Sequence, residues 1–349
     1  MMTKETMNQL NKRVCGRRSW FGCEMNPVCV AKSIMKMFER CPRISEDEGV
    51  ELGEIFDHEV FLGADDDTRK SIMFKSSESK YKSEIEYPWD NYFGRSLTSL
   101  LQGKTALDLG CFTGGRSIAW FERYGLRRIA GIDIKDVYIE AANQFGSMHN
   151  AATDFRKGTG ESMPFEDEMF DAILTFDVLE HVQDLRKTLG ECYRVLKKDG
   201  RLFLVFPSYF QATENHLELV TTAPCIHWFF SGETLLKAYC EILEERGDDA
   251  YWYKRSSPHL ESWEKGNTVN GATLCQFKRL IRTMHWRVIA EVHKPLGSVG
   301  PNSSRNYLAR MGSRLLLPFT FLPVLQELSL HRVTFILEKL HPSASSSGA

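Results

Sequence analysis

The sequence predicts an α/β fold built on a doubly wound, Rossmann-like and mostly parallel sheet. Short apolar runs of strand length alternate along the chain with amphipathic stretches of helical length. The first apolar run leads directly into a glycine-rich turn, "TALDLGCFTGGRS" at 105–117. Because alternating strands and helices place helices on both faces of one sheet, this rhythm favours parallel strands.

The predicted elements follow one another regularly from residue 104 onward. Each short apolar run indicates a strand, and each stretch with helical periodicity indicates a helix. The strands are "KTALDLG", "RRIAGIDI", "FDAILTF", "RLFLVFPS", "WRVIAEVHK" and "HRVTFILEKL". The helices are "GRSIAWFERYG" closed by Gly125, "KDVYIEAANQFGSMHN", a helix entered through "DVLEHV", and "DLRKTLGECYRVLKKDG" closed by Gly200.

Composition places the chain among ordinary globular proteins and argues against one class of partner. Its 349 residues are 42% hydrophobic and 26% charged, with a formal net charge of −2. A net charge this close to zero creates no global field that would attract nucleic acid or an anionic membrane. We therefore expect no nucleic acid among its partners.

Cysteine usage and apolar patterning predict a cytoplasmic protein without a membrane span. The nine cysteines include no CxxC pair, which favours reduced thiols, and their spacing near the N-terminus matches no zinc pattern, so no metal is expected. The N-terminus is polar and has no signal-peptide core. The stretch "LLLPFTFLPVL" at 315–325 is too short to span a bilayer and contains two prolines. We expect it to pack in the core, with peripheral lipid contact as the alternative.

The glycine turn departs from the two common phosphate-binding patterns. A dinucleotide fingerprint requires a second glycine where Phe112 stands, so NAD and FAD are disfavoured. A P-loop is excluded because no Lys-Ser/Thr pair follows the turn. The pattern that fits is Asp108-x-Gly110-x-x-x-Gly114, with Asp133 at the end of the second strand.

Four motifs in natural order carry a family resemblance: "LDLGCFTGG", "GIDI", "GESMPFEDEMFDAILTFDVLEHV" and "RVLKKDGRLFLVFP". With them the sequence resembles the class I S-adenosylmethionine-dependent methyltransferases, specifically the small-molecule type 11 group. The resemblance covers about Trp89 to Phe206, and more loosely extends to Leu340. It implies a seven-stranded sheet with an antiparallel last strand, a methyltransferase activity and S-adenosyl-L-methionine as cofactor.

The residue pattern and the resemblance together predict a domain organisation. The mixed charge and weak periodicity of residues 1–80 predict a partly ordered N-terminal extension, and the resemblance implies that 81–340 form the methyltransferase domain. Insertions near 208–232 and 295–330 would decorate the substrate side of this domain. Residues 341–349 are small and polar, which predicts a disordered tail.

The resemblance assigns roles around the cofactor. Asp108 would organise the turn near the methionine end, and Asp133 would accept hydrogen bonds from both ribose hydroxyls. Thr159 stands where the family often has an aspartate for the adenine amine, so Gly160 and Glu161 would supply the remaining contacts. The expected cofactor-binding residues are Asp108, Gly110, Cys111, Phe112, Gly114, Asp133, Ile134, Thr159, Gly160, Glu161 and Phe176.

Three histidines are candidates for a general base, because a hydroxyl acceptor must lose a proton during methyl transfer. His181 follows the predicted strand "FDAILTF" and would serve either as a base or in shaping the pocket. His216 and His227 lie in the 208–232 insertion, whose aromatic side chains indicate either a lid over the substrate or the packing of an extra helix.

The acceptor is expected to be a small molecule, and the sequence makes no prediction of oligomeric state. The end of the strand "FDAILTF" reads "TFDVLEH" and lacks the Asn/Asp-Pro-Pro-Tyr/Phe motif of nucleobase amino-methyltransferases. The favoured acceptor is a hydroxyl of a glycan, a lipid-linked compound or a natural product. Carbon methylation of a quinone-like compound and a non-catalytic interaction module remain as alternatives.

Overall fold

The computed structural model describes residues 26–39, 59–212, 217, 220–246, 270–298, 307–322 and 325–340. The chain divides into two compact units. Unit one comprises residues 1–64 and 212–269, and unit two comprises 65–211 and 270–349. His216, the predicted tail at 341–349 and much of the predicted N-terminal extension lie outside the described residues.

The helices of the described residues have the following bounds in chain order: α1 Pro27–Met37, α2 Glu59–Leu62, α3 Asp66–Glu86, α4 Asp90–Phe93, α5 Thr98–Leu101, α6 Gly115–Tyr124, α7 Asp136–Met148, α8 Leu185–Val195, α9 Ile226–Phe229, α10 Gly232–Arg246, α11 Leu274–Thr283, α12 Tyr307–Leu316 and α13 Gln326–Ser329. A 3₁₀ turn, Leu317–Phe321, follows α12. As predicted, α6 ends at Gly125, which adopts the left-handed conformation with φ of 60°.

Unit two contains a seven-stranded sheet. Its strands are β1 Thr105–Leu109, β2 Arg128–Asp133, β3 Thr153–Lys157, β4 Phe170–Phe176, β5 Leu196–Phe206, β6 Trp286–Val292 and β7 Val333–Lys339. Their order is β3-β2-β1-β4-β5-β7-β6. Only β7 runs against its neighbours, β5 and β6, while the other pairs are parallel. The predicted fold class, including the antiparallel last strand, is confirmed.

The central strands β1 and β4 are largely apolar because both faces of the sheet are covered there. Ala106 of β1 packs with Trp89 and Trp120 on one face. Its neighbour Leu107 packs on the other face, in the cluster that includes Phe277 of α11. The centre of the sheet is therefore buried on both sides, and polar side chains are left to collect at its edges and strand ends.

Two helix predictions were wrong in detail. Residues 177–184 form turns and not a helix, because Asp177 adopts a left-handed conformation with φ of 54° directly after β4. The helix predicted to end at Gly200 ends at Val195, because Leu196 already pairs with Phe170 in the sheet. In the second place, pairing with the sheet overrides local helix propensity.

Helix α3 crosses the boundary that the sequence placed at residue 80. Asp65 caps it by accepting a hydrogen bond from the N–H of Thr68 at 2.8 Å. It packs closely on α6: a Cβ placed on Gly115 would lie 1.8 Å from the carbonyl oxygen of Ser77. All of α3, on both sides of residue 80, belongs to unit two. The domain boundaries proposed from the sequence stay a prediction.

The structure bears on the predictions about the cysteines and about a membrane span. Cys111, Cys192, Cys225, Cys240 and Cys275 are free. Cys29 takes part in a disulfide, which the prediction of reduced thiols did not anticipate. Among the described helices, none is both long and apolar enough to cross a membrane. The cytoplasmic location stays a prediction.

Candidate functional site

The glycine turn after β1 is fixed to the end of β2. The N–H groups of Gly110 and Cys111 both donate to the carbonyl of Ile132, at 2.9 and 3.0 Å. Gly110 and Gly114 have φ of 82° and 76°, which glycine adopts without steric cost. A Cβ on Gly110 would lie 2.3 Å from Cγ2 of Val178. The turn therefore lies directly against the segment that follows β4.

Because of this contact, adding a single methyl group at Gly110 should measurably lower the free energy of unfolding. We expect Gly110→Ala to destabilise the fold through two effects, the left-handed backbone at about 1–2 kcal/mol and overpacking against Val178 at about 1–3 kcal/mol. Gly103→Ala is the matched control, because Gly103 has φ of 70° but open space around its Cβ position. Urea unfolding measures both variants. Equal losses of unfolding free energy would contradict the close packing, and adding Val178→Ala to Gly110→Ala should recover the overpacking part.

Asp108 lies beneath the turn and joins β1 to α6. The hydroxyl of Ser117 donates to its Oδ2 at 2.6 Å. Burial raises the pKa of the Asp108 carboxyl to about 7, against the lowering effect of Ser117 and Arg116. The structure places Asp108 where it can organise the turn, while its contact with the methionine end of a cofactor stays a prediction.

Asp133 presents a carboxylate whose orientation is set by the backbone. Its Oδ2 accepts from the N–H of Phe112 at 2.8 Å, and its Oδ1 accepts from the N–H of Ile134 at 2.7 Å. Burial raises the pKa of Asp133, and the surrounding N–H groups oppose this shift. Each carboxylate oxygen has two lone pairs, so both can still accept a hydroxyl. This is the donor–acceptor match that a pair of ribose hydroxyls requires.

Apolar and aromatic side chains lie beside this carboxylate. The rings of Phe112 and Tyr138 are 4.5 Å apart between centroids, and Ile134 is 60% exposed. An apolar surface next to a ribose-binding carboxylate suits a purine base. The surroundings of Asp133 therefore fit an adenosine, which the predicted cofactor contains.

The loop after β3 reaches the same region. The N–H of Gly158 donates to the carbonyl of Asp133 at 3.0 Å. Glu161 accepts from the N–H groups of Gln183 and Asp184, at 2.7 and 3.1 Å, so one of its oxygens holds the start of α8. Thr159 is exposed, and Gly160 is buried. The carbonyl of Thr159 accepts from the N–H of Ser162 at 3.2 Å. The adenine contacts of Thr159, Gly160 and Glu161 stay predictions.

Polar and aromatic groups surround the end of β4. The Tyr92 ring meets the Phe176 ring edge-on at 5.1 Å, and the Arg116 guanidinium lies 4.3 Å from the centre of the Phe176 ring. Asp177, the next residue, accepts from Nε of Arg332 at 3.1 Å. Phe176, predicted from the sequence as a cofactor contact, is therefore part of a charged and aromatic cluster.

His331 belongs to this cluster, and sequence reasoning missed it. The His331 ring stacks on the Tyr92 ring, with 6.1 Å between the centroids. The backbone N–H of His331 donates to the carbonyl of Lys294 at 2.8 Å. Its Nδ1 is buried and has no hydrogen-bond partner among the residues that the structure describes. Burial, together with the charge of Arg332, lowers the pKa of His331 to about 4, while Asp177 opposes the shift. His331 is thus a neutral imidazole at physiological pH.

The histidines predicted from the sequence lie elsewhere. His181 is in the turn after β4 in unit two, with its side chain 36% exposed and its Nε2 3.7 Å from Glu180 Oε1. His227 is buried on α9 in unit one, and His216 lies outside the described residues. Neither described histidine is part of the Tyr92–His331 cluster of unit two. In the described ranges no group of His, Cys, Asp and Glu could hold a metal ion.

The sheet order and the glycine turn after β1 agree with the Rossmann-like fold expected of a class I methyltransferase. The family model of the type 11 methyltransferase domain matches residues 107–204. This segment, which runs from β1 through most of β5, therefore belongs to the type 11 methyltransferase domains, a class that uses S-adenosyl-L-methionine.

The relatives share this segment and not their whole length. An uncharacterized methyltransferase, YcgJ of Bacillus subtilis (strain 168), is 37% identical over 28% of this chain and 39% of its own length. The ubiquinone biosynthesis O-methyltransferase of Pseudomonas paraeruginosa is 34% identical over 30% of this chain and 44% of its own. The chain thus spans less than half of the length of these relatives.

A solved structure shows a more distant likeness. A putative sarcosine dimethylglycine methyltransferase from Galdieria sulphuraria is 16% identical, with a TM-score of 0.42 over 82% of this chain and 98% of its own. A likeness at this level carries no functional inference.

Proposed function

We propose that this chain transfers a methyl group from S-adenosylmethionine to a hydroxyl of a small organic acceptor. The observation that carries the proposal is the Asp133 carboxylate, held by two backbone N–H groups beside the glycine turn. The family match over residues 107–204 supports the cofactor. The ubiquinone biosynthesis relatives are named as O-methyltransferases, which supports oxygen as the accepting atom.

When bound, the cofactor supplies an electrophilic methyl group on a sulfonium centre. The chain itself has three tasks in this reaction: to hold the donor, to align the acceptor and to receive one proton. Asp133 would hold the ribose, and the turn from Gly110 to Gly114 would pass beneath the methionine portion.

His331 would align the acceptor and take its proton. As the new carbon–oxygen bond forms, the methyl–sulfur bond would break and S-adenosylhomocysteine would leave as a neutral thioether. The hydroxyl oxygen then carries the positive charge, and its proton becomes strongly acidic. A neutral imidazole can then accept this proton even though the pKa of His331 is about 4. The unpartnered Nδ1 is the acceptor atom that such a hydroxyl would use, because a buried polar atom without a hydrogen bond is costly.

Calorimetric titration of the purified chain with S-adenosylhomocysteine tests the cofactor part of the proposal. We expect saturable binding with one site per chain. Circular dichroism on the same sample establishes that the protein is folded. A folded protein that releases no heat at any concentration of S-adenosylhomocysteine would overturn the proposal and favour the non-catalytic interaction module.

A further inference from the structure

The segment 311–322 has an inverted distribution of side chains. Its large apolar side chains point outward, with between 41% and 75% of each exposed: Met311, Leu315, Leu317, Phe319, Phe321 and Leu322. The inward positions are taken by small polar residues, and Ser313 and Thr320 are only 5% and 0% exposed. The sequence predicted that this apolar stretch packs in the core, and the described part of it does not. We call this surface the 311–322 face.

Folded contacts hold this face in place. The carbonyl of Thr320 lies 2.7 Å from Nδ1 of His293, just beyond the end of β6. The ring of Phe321 stacks on the His293 ring at 4.7 Å with an interplanar angle of 16°. The hydroxyl of Thr320 donates to the carbonyl of Leu317 at 2.7 Å. The apolar exposure therefore belongs to a folded turn that is bound to the sheet.

The charge of the segment indicates what covers it. The sequence from 307 to 322 contains no acidic residue and has two arginines, at 310 and 314. Arg314 is exposed beside Leu315, the most exposed apolar side chain of the face. Apolar side chains that insert below a headgroup layer, bordered by cations that bind anionic headgroups, are the combination that suits a lipid surface.

The same edge of the sheet carries His331. The N–H of His331 donates to the carbonyl of Lys294, and the N–H of Leu296 donates to the carbonyl of Ser329 at 2.7 Å. These bonds join the chain after β6 to the chain before β7. Since β7 is antiparallel, it begins at the edge where β5 ends, with Val333 opposite Phe206. The 311–322 face and the candidate acceptor side of the site are thus connected through one short stretch of structure.

We propose that the 311–322 face docks unit two on an anionic lipid surface, and that the methyl acceptor is a hydroxyl compound presented by that surface. The docking rests on the exposed face alone, while the statement about the acceptor rests on the proposed function. Docking would place the edge that carries His331 near the membrane, where an apolar acceptor is concentrated.

Vesicle flotation tests the docking. The full chain is mixed with vesicles of phosphatidylcholine, with and without phosphatidylglycerol, and the floating fraction is measured. We expect the protein to float with the anionic vesicles. The double variant Leu315→Glu/Phe321→Glu should lower the partition coefficient at least about ten-fold, because it removes two inserting apolar side chains and turns two carboxylates toward the anionic headgroups. Arg314→Gln should lower it about five-fold, on anionic vesicles only.

Met148→Glu is the matched control, because Met148 is 58% exposed on α7 and lies outside the face. It should float like the unchanged protein. If the unchanged protein stays unbound, or if Met148→Glu weakens flotation as much as the double variant, the docking is overturned. Gel filtration adds one more outcome: a dimer that the double variant dissociates, without flotation, would assign the face to a second copy of the chain and overturn the lipid proposal.

Titration with S-adenosylhomocysteine on the same samples separates the two proposals. Cofactor binding without flotation would overturn the proposal of lipid docking and leave the proposed methyltransferase function standing. Flotation without cofactor binding would support the docking and overturn the proposed methyltransferase function. The statement about the acceptor would be overturned with that function.

Discussion

Replacing Asp133 with alanine should greatly weaken the binding of S-adenosylhomocysteine while unit two stays folded. The substitution removes the carboxylate that accepts from Phe112 and Ile134 and that we expect to accept the ribose hydroxyls. Hydrogen bonds to a charged group contribute about 1.5–3 kcal/mol each, so the loss of two predicts about a 10²–10⁴-fold weaker affinity. Release of the Phe112 N–H also loosens the turn, which adds to the loss.

The matched control is Asp136→Ala. Asp136 is also a carboxylate after β2, but its side chain is 80% exposed and binds Lys157 at 2.6 Å. It should bind S-adenosylhomocysteine as the unchanged chain does. Calorimetry of both variants measures the affinities, and circular dichroism shows that each is folded. Affinities within a few-fold of one another for the two variants would refute the role of Asp133 in holding the ribose.

Asp133 and the glycine turn could be predicted from the sequence because their geometry is local. Parallel strands end at one edge of the sheet, so a carboxylate after β2 must lie near the turn after β1. The same holds for Gly110, whose φ of 82° follows from the turn it occupies. Spacing along a short segment was sufficient to place both.

His331 could not be found in this way, because its neighbours come from distant parts of the chain. Tyr92 precedes the sheet, Asp177 follows β4, and His331 begins the approach to β7. The sequence pattern placed His331 inside the last strand, where a histidine gives no indication of a functional site. One feature of the predicted fold could have indicated His331. An antiparallel last strand begins at the edge of the sheet where the parallel strands end, which is the edge that binds ligands. Residues at the start of that strand therefore lie near the site, and later ones do not.

The 311–322 face was missed for a different physical reason. An apolar run is consistent with a core, an interface or a membrane surface, and composition alone does not say which side of a helix faces inward. Here the positions that pack against the fold are those of Ser313 and Thr320. The orientation is set by the contact of Thr320 with His293, which only the folded chain reveals.

Substituting His331 by asparagine should lower kcat about 10²–10⁴-fold, the range for loss of a positioned proton acceptor. The affinity for S-adenosylhomocysteine should not change, because His331 acts on the acceptor and not on the cofactor. The measurement is the rate of methyl transfer from labelled cofactor to the acceptor found by screening hydroxylated compounds, together with calorimetry. His149→Asn removes an imidazole that lies 2.9 Å from Glu122 and serves as control.

The pH dependence separates a proton acceptor from a structural histidine. Burial and Arg332 hold the pKa of His331 at about 4, so the imidazole is neutral above that value and the rate should fall only as the pH drops toward it. Arg332→Gln removes the positive charge and leaves Asp177, which raises the pKa of His331, without its ion pair. The acid limb of kcat should therefore move to higher pH in this variant. A limb that stays in place, with a rate that falls uniformly at every pH, would mean that His331 only supports the packing of Tyr92, and the proton would then have to leave by another route.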